Sequence, residues 1–193
     1  TRPDLPGDAR ASLAEAASML DASVKGLGGI EDITRRLKRF ARTQSGGEPV
    51  DVNEIVRSIA KVAEARIPPN VQVRLDAQAR QAPRGRAGEI SQIVLNLLLN
   101  ASESMGQREG RIQVRTRDEP GHVLVEVEDD GPGIPPETQA HIFESFYTTK
   151  PEGTGLGLSI SHLIAREHGG SLTFTSAPGE RTLFRLTLPV AGG

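Results

Sequence analysis

Alternation of apolar and polar residues predicts five β-strands after the first third of the chain. The predicted strands lie around residues 71–75, 111–117, 122–128, 172–175 and 183–188. Pro120-Gly121 and Pro178-Gly179 fall between the second and third and between the fourth and fifth strands, where hairpin turns are expected. Strands that alternate in this way form a largely antiparallel sheet with one apolar face, which needs a covering layer.

Apolar residues at three- and four-residue spacing predict three helices that can supply this layer. The predicted helices run over about 51–66, 87–105 and 156–168. Asp51 is placed to cap the first helix, and Gly106 is placed to end the second. The order of strands and helices predicts an α/β fold: a two-layer α/β sandwich whose mixed or largely antiparallel sheet carries its helices on one face.

The first 47 residues differ from the rest, because they contain a long helical pattern and no predicted strand. From residue 8 to residue 43, apolar residues recur with the spacing of a helical bundle, interrupted by glycines at positions 26, 28 and 29. Gln44-Ser-Gly-Gly47 then has the composition of a linker. We therefore predict two domains, residues 1–47 and 48–193, and expect the long N-terminal helix to need a partner helix.

Composition adds a few constraints. The chain has 23 basic and 25 acidic side chains, so its charge favours neither a nucleic-acid partner nor a membrane surface. Cys is absent, which excludes disulfides and thiolate metal sites and fits a reducing compartment. No apolar run approaches the roughly 18 residues of a membrane span. We expect a cytoplasmic location; because the chain begins with Thr1, it can be a fragment of a longer, membrane-anchored protein.

One side of the otherwise apolar helix predicted over 87–105 is polar. Its polar residues follow one another at helical spacing: Glu89, Gln92, Asn96, Asn100 and Glu103. Buried amides need hydrogen-bond partners. Two interpretations of the asparagines stay open: they bond to the backbone of a neighbouring loop, or their oxygens face a hard cation such as Mg²⁺ or its water shell.

Asp129 follows a strand whose valines, at positions 123, 125 and 127, share one face. The period of two places Asp129 on this inward face, whereas Glu126 and Glu128 point outward. An inward carboxylate beside glycines needs a donor. That donor is either a nearby backbone N–H group or the amino group of a nucleobase in an apolar pocket.

Two glycine clusters follow, Asp129-Asp-Gly-Pro-Gly133 and Gly153-Thr-Gly-Leu-Gly157. Alternate glycines permit positive φ and close approach of a ligand, and leave N–H groups free to converge on an anion. The second cluster leads into a predicted helix, whose N-terminus can bind phosphate. No Gly-Lys-Ser or Gly-Lys-Thr occurs, and Leu158 stands at the sixth position, where G-x-G-x-x-G needs a glycine. His-Arg-Asp and Asp-Phe-Gly of the Ser/Thr/Tyr protein kinases are also absent.

These segments resemble the sequence boxes of bacterial sensor histidine kinases. Asn96-Leu-Leu-Leu-Asn100-Ala is similar to the N box, Asp129-Asp-Gly-Pro-Gly to the G1 box, Phe143-Glu-Ser-Phe146 to the F box and Gly153-Thr-Gly-Leu-Gly-Leu to the G2 box. Their order and spacing match as well, over roughly residues 48–190. The resemblance implies the Bergerat-type ATP-binding fold of topoisomerase, chaperone and mismatch-repair ATPases, with ATP and Mg²⁺ as ligands.

The resemblance also implies roles for individual residues. Asp129 would bind the adenine amino group, and Asn100, together with Asn96, would hold Mg²⁺ on the triphosphate. Gly131 and Gly133 would shape the wall beside the adenine. The implied nucleotide-binding residues are Asn96, Asn100, Asp129, Gly131, Gly133, Ile134, Phe146, Thr148, Thr149, Lys150, Gly153, Thr154, Gly155, Leu156, Gly157 and Leu158.

A lid over the nucleotide is implied for the segment from about residue 146 to residue 153. Phe143 and Phe146 are expected to anchor this lid. Lys150 and the backbone of residues 155–158 would lie near the phosphates.

Asn96 distinguishes this chain from the hydrolytic members of the superfamily, which place a Glu at this position as general base for water. Asn cannot take up a proton, which favours phosphoryl transfer over hydrolysis. Asn96 and Lys150 are the two candidate catalytic residues. Glu103 and Ser104 stand where such kinases often have basic or aromatic residues, which puts a further phosphate contact from this helix in doubt. Ser145 stands where the family often has Pro.

A histidine kinase also needs an acceptor histidine on a dimerisation helix. The histidines of the chain lie elsewhere, at positions 122, 141, 162 and 168, and His168 is placed at a helix C-terminus, where an imidazole interacts well with the dipole. Residues 8–43 instead resemble the second dimerisation helix. We expect the chain not to phosphorylate itself; whether the acceptor helix was removed or is absent from the protein stays open.

The resemblance implies transfer of the γ-phosphoryl group of ATP to a histidine on a dimerisation helix that this chain does not contain. An aspartate in the receiver domain of a response regulator would receive the group next, and the full protein would be a homodimer. Two alternatives stay open: a non-catalytic module that senses a nucleotide and docks a partner, and a serine-directed kinase of the anti-sigma-factor type.

Overall fold

The computed structural model describes residues 47–150 and 153–190, which belong to one compact unit of the chain. Within these residues, all five predicted strands and all three predicted helices are present. The long helix predicted for residues 8–43 lies outside the described residues, so this helix and the domain division at residue 47 stay predictions.

The strands within the described residues are β1 (Glu48–Pro49), β2 (Val71–Ala77), β3 (Arg84–Gly85), β4 (Gly110–Glu119), β5 (His122–Asp129), β6 (Ser171–Ser176) and β7 (Thr182–Pro189). Five of them form a mixed sheet in the order β2-β4-β5-β7-β6. β2 runs parallel to β4, and the other neighbours are antiparallel. β1 and β3 pair separately; strands of two residues are too short to show a periodic pattern in sequence.

The helices of the same part of the chain are α1 (Val52–Ala63), α2 (Ala87–Met105), α3 (Pro136–Gln139) and α4 (Gly157–Glu167). Asp51 caps α1 as predicted, since its Oδ1 accepts hydrogen bonds from the N–H groups of Asn53 and Glu54 at 2.8 and 3.1 Å. α2 ends at Gly106, whose φ of 57° favours glycine. None of these four helices is both long and apolar enough to cross a membrane.

The hydrophobic core lies between one face of the sheet and α1, α2 and α4, which confirms the predicted two-layer sandwich. The inward valines of β5 are at most 1% exposed. On α2, Ile93 and Leu97 are completely buried. Since β5 is the central strand, its last residue, Asp129, lies in the middle of the sheet edge, next to the C-terminal half of α2.

The opposite face of the sheet carries charged side chains, as the period of two predicts. Glu126 points to this face, but its side chain is only 3% exposed, because Arg117 and Arg185 each place a guanidinium nitrogen 2.8 Å from its Oε1. Arginine side chains from the two neighbouring strands therefore cover a carboxylate that would otherwise face water.

His168 caps the end of α4, which confirms its predicted place at a helix C-terminus. Its Nδ1 lies 2.8 Å from the carbonyl oxygen of Ile164, and the backbone N–H of Arg86 donates to its Nε2 at 3.0 Å. A ring that accepts at Nε2 donates at Nδ1, so these contacts select one neutral tautomer. The ring thereby links the end of α4 to the residue before α2.

Candidate functional site

Asp129 ends β5 inside the structure and not at its surface. It pairs with Ile112 of β4 on one side and with Thr182 of β7 on the other. Asp129 is 3% exposed and Thr182 is 4% exposed. The inward orientation predicted from the valine alternation is therefore confirmed.

The carboxyl group of Asp129 has few donors for so buried a group. The N–H of Gly131 donates to Oδ1 at 3.0 Å, and the Ser104 hydroxyl lies 3.4 Å from the same oxygen. Ser104 has one hydroxyl proton, and the carbonyl oxygen of Ala101 lies closer to it, at 2.8 Å. Burial raises the pKa of Asp129 from its ordinary value of 3.8 to about 6, against the opposing effect of these two hydrogen bonds. The site thus presents a buried acceptor that a further N–H donor can stabilise.

The loop after Asp129 needs glycine at two positions. At Gly131, a Cβ atom would lie 2.6 Å from Asp129 Oδ1 and 2.8 Å from Ser104 Oγ. At Gly133, φ is 73° and a Cβ would lie 1.9 Å from the carbonyl oxygen of Ala177. The next residue is also held, because the Ile134 N–H donates to Ser176 Oγ at 2.9 Å. This loop is therefore packed directly against the β6–β7 hairpin.

Asn96 and Asn100 occupy successive turns of α2 but have different partners. The Asn96 amide donates to the carbonyl oxygen of Gly157 at 3.2 Å and to Ser161 Oγ at 3.1 Å. The bond to Gly157 matches the first of the two interpretations, in which the asparagines bond to neighbouring backbone, and the bond to Ser161 is an additional side-chain contact. Asn96 therefore links α2 to the first turn of α4, where no side chain caps the helix.

Asn100 instead faces a cation. The Lys150 ammonium donates to Asn100 Oδ1 at 2.8 Å and forms an ion pair with the Glu103 carboxylate at 2.6 Å. Two oxygens at positions i and i+3 of one helix therefore bind the same positive charge. Amide and carboxylate oxygens are also the donors that Mg²⁺ prefers, so this pair fits the metal that the resemblance implies.

The predicted lid is closed at its base through backbone atoms. The Phe146 N–H donates to the carbonyl oxygen of Gly155 at 2.9 Å, and both residues have positive φ, 70° and 65°. A Cβ at Gly155 would lie 2.3 Å from the carbonyl carbon of Phe146. Positive φ is uncommon for a bulky residue, so the surrounding contacts determine the conformation of Phe146.

The two phenylalanines predicted to anchor the lid behave differently. Phe143 packs against the core, with its ring 4.7 Å from the His162 ring and 5.8 Å from the Phe174 ring. The Phe146 ring is 62% exposed, so the prediction that this ring anchors the lid was wrong. Phe146 has a positive φ of 70°, which directs its ring away from the core, whereas the ring of Phe143 lies inward.

The remaining predicted residues fall into two groups. Four of them are exposed and belong to the lid or directly follow it: Thr148, Thr149, Gly153 and Thr154. Within it, Thr148 Oγ1 accepts from the Lys150 N–H at 3.1 Å, and the Gly153 N–H donates to the Lys150 carbonyl at 3.1 Å. Apolar side chains instead pack into or against the core, namely Ile134, Leu156 and Leu158. The side chains of Leu156 and Leu158 are therefore engaged in core packing.

Sequence reasoning missed Ser104 and Thr182 as members of the site. Ser104 lies four residues after Asn100, so its helical spacing could have placed it on the polar side of α2. Thr182 lies beside Asp129 only because of the β5–β7 register, for which the local sequence carries no signal.

Residues 85–192 match the family model described as histidine kinase-, DNA gyrase B- and HSP90-like ATPase. The chain is 36% identical to the sensory histidine kinase/phosphatase NtrB of Rhodobacter capsulatus, over 94% of this chain and 58% of that protein. It is also 36% identical to the sensor histidine kinase ZraS of Escherichia coli strain K12, over 82% of this chain and 34% of that protein. The chain thus spans 58% or less of these two curated relatives.

Solved structures agree with this assignment. The catalytic domain of histidine kinase ThkA aligns with a TM-score of 0.67 and 31% identity, over 76% of this chain and 96% of that chain. A mycobacterial sensor histidine kinase, MprB, aligns with a TM-score of 0.65 and 30% identity, over 74% of this chain and 97% of that chain. The fold predicted from the sequence boxes is therefore confirmed.

Proposed function

The chain belongs to the family of histidine kinase-, DNA gyrase B- and HSP90-like ATPases, and we propose that it is the ATP-binding catalytic part of a two-component sensor histidine kinase. The observation that carries this proposal is a juxtaposition on α2. Ser104 lies beside the buried Asp129 carboxylate, and one turn earlier Asn100 binds the Lys150 ammonium. A base-binding acceptor and a cation-binding oxygen thus lie about one helical turn apart.

We call Asp129, Gly131 and Gly133 the adenine end of the site. The Asp129 carboxylate would accept a hydrogen bond from the adenine amino group, which offers a further N–H donor beside that of Gly131. The two glycines permit the base to lie close to the backbone, because neither has a side chain to occupy that space.

Asn100, Lys150 and the backbone of residues 155–158 form the phosphate end. Asn100 would hold Mg²⁺, with the Asn96 oxygen as a second ligand, and Lys150 would contact the phosphates. The uncapped N-terminus of α4 offers N–H groups to an anion. When bound, Mg²⁺ supplies charge neutralisation at the phosphates.

The reaction proposed is transfer and not hydrolysis. Asn96 cannot act as a general base, and its amide is engaged by Gly157 and Ser161. In the complete protein, a homodimer, the γ-phosphoryl group would pass to a histidine on a dimerisation helix and then to the receiver domain of a response regulator. The site would operate in the cytoplasm.

Isothermal titration calorimetry with a non-hydrolysable ATP analogue and Mg²⁺ tests nucleotide binding. We expect binding with ATP-type ligands and much weaker binding with the matching GTP analogue, because guanine has a carbonyl oxygen where adenine has its amino group. Absence of Mg²⁺-dependent binding would refute the proposal.

A second experiment separates catalysis from nucleotide sensing. A peptide or domain that carries the acceptor helix is added in trans with ATP labelled at the γ-phosphate. A kinase labels the acceptor histidine with an acid-labile phosphate, whereas a non-catalytic sensing module binds nucleotide and leaves the acceptor unlabelled.

A further inference from the structure

Lys150 is held by α2 through two oxygens, and only one of them belongs to a residue that the sequence boxes assign to the nucleotide. Asn100 Oδ1 lies 2.8 Å from Nζ, and Glu103 Oε2 lies 2.6 Å from Nζ. We propose that Glu103 is a positioning residue for the lid: with Asn100, it holds the Lys150 ammonium where Mg²⁺ binds in the nucleotide complex, so that lysine and metal compete for the same oxygens. This inference rests on the proposed function.

The geometry of α2 places the oxygens of Asn100 and Glu103 so that Lys150 and a metal ion would compete for them. Glu103 follows Asn100 by three residues, so both side chains leave α2 on the same side and converge on one charge. Lys150 reaches them from the lid, 47 residues further along the chain from Glu103. Both acceptor atoms are hard oxygens, which bind an ammonium group through hydrogen bonds and a divalent ion through coordination or its water shell.

The exposure of the ion pair makes the exchange feasible. The Glu103 side chain is 53% exposed and the Lys150 side chain is 37% exposed, so solvent screens their attraction. A divalent ion brings twice the charge to the same oxygens. The contact is therefore strong enough to orient Lys150 and weak enough for a metal–nucleotide complex to replace it.

Competition has a consequence for nucleotide binding without metal. Lys150 must then leave Glu103 to reach the phosphates, and the freed carboxylate faces the negative triphosphate. With Mg²⁺ present, positive charge remains beside Glu103 after Lys150 has left. Glu103 therefore increases the dependence of nucleotide affinity on Mg²⁺.

Amine labelling of the nucleotide-free protein tests the resting contact. An acetylating ester is added, and mass spectrometry follows the labelling of Lys150, with exposed Lys61 of α1 as internal reference. Lys150 should react more slowly than Lys61 in the wild type, and Glu103→Gln should raise the Lys150 rate about two- to fivefold. Equal Lys150 rates in the two proteins would overturn the proposal.

The matched control is Glu119→Gln, which removes the same charge at the opposite end of β4, far from Asp129. It should leave the Lys150 rate unchanged. A similar increase in this variant would show that net charge, and not the contact, controls the reaction, and would count against the proposal.

Calorimetry of the two variants tests the competition with metal. We expect the ratio of nucleotide Kd in EDTA to Kd in Mg²⁺ to fall about two- to fivefold in Glu103→Gln, mainly through tighter metal-free binding, and to stay constant in Glu119→Gln. An unchanged ratio in Glu103→Gln would contradict the competition. If the wild type binds no nucleotide, the proposed function fails, whereas the labelling experiment still decides the Lys150 contact.

Discussion

The adenine end and the phosphate end of the site are built on different principles. At the adenine end, Asp129 is 3% exposed, and the loop after it touches the β6–β7 hairpin through backbone atoms. At the phosphate end, the ammonium of Lys150 is held by side chains in contact with water, since Lys150 and Glu103 are 37% and 53% exposed. Backbone packing determines the conformation of the adenine end, whereas exchangeable polar contacts determine that of the phosphate end.

This difference suits the role proposed for each end. A base is recognised by one directional hydrogen bond in a fixed position, so a preformed pocket favours selectivity. A triphosphate with its metal brings its own charges, and its place must be available when it arrives. Contacts that solvent already weakens can be replaced at low cost.

Glycine substitutions probe the contrast most strongly. Gly133→Ala places a Cβ at positive φ and 1.9 Å from a carbonyl oxygen, and should lower the free energy of unfolding by about 4 kcal/mol. Gly121→Ala is the control: φ is 74°, nothing lies within 4 Å of its Cβ, and the loss should be about 1 kcal/mol. Urea unfolding measures both.

Gly155→Ala is the counterpart at the lid. It combines positive φ with a backbone contact at 2.3 Å, yet we expect a loss of only about 2 kcal/mol, because a surface loop can shift. If Gly155→Ala destabilises as much as Gly133→Ala, the two ends are equally rigid and the contrast is wrong.

The pH dependence of stability isolates the buried acid. Because the pKa of Asp129 is raised to about 6 in the folded protein, the folded state binds a proton that the unfolded state has lost between about pH 4 and pH 6. The contribution of Asp129 to the free energy of unfolding is fully present below about pH 4. This contribution falls by about 3 kcal/mol as the pH rises through 6. Unfolding of wild type and Asp129→Asn between pH 4 and 7 should show the wild type losing this amount relative to the variant; parallel curves would disprove the shift.

Nucleotide affinity should depend on the same carboxylate. Asp129→Asn replaces a charged acceptor by a neutral amide, and we expect affinity for the ATP analogue to fall about a hundredfold. Asp130→Asn makes the identical change one residue later, where the side chain is exposed and accepts the Arg111 N–H, and should stay within about twofold. Calorimetry compares the two variants, and an equal loss of affinity in both would refute the proposal that Asp129 binds the adenine.

The two asparagines should differ in their contribution to stability, because Asn96 has more partly buried hydrogen bonds than Asn100. Asn96→Ala removes two partly buried hydrogen bonds and should lower the free energy of unfolding by about 1–2 kcal/mol. Asn100→Ala should change stability by about 0.5 kcal/mol and weaken Mg²⁺-dependent nucleotide binding about tenfold. Unfolding experiments and calorimetry on both variants measure these two effects. A larger loss of stability in Asn100→Ala than in Asn96→Ala would contradict the assigned roles.

Much of the fold could be predicted because its signals are local. Strand alternation and helical spacing depend on neighbours within about seven residues, and they located the sheet, α1, α2 and α4. The period of two also placed Asp129 inward without knowledge of its partners. The prediction for the Phe146 ring was wrong because local sequence signals do not include backbone φ. The sequence box marks an aromatic position, but the positive φ of Phe146 directs its ring outward.

The sequence by itself determined the five strands of the main sheet, the three long helices α1, α2 and α4, and the inward carboxylate of Asp129. Only the tertiary structure decided which polar residues meet: Ser104 with Asp129, Asn96 with Gly157, and Glu103 with Lys150. These pairs are 25, 61 and 47 residues apart in the chain. The first two form because α2 packs against β5 and α4, and the third forms because the loop before α4 returns to α2. No local pattern encodes which side chains this packing brings within hydrogen-bond distance.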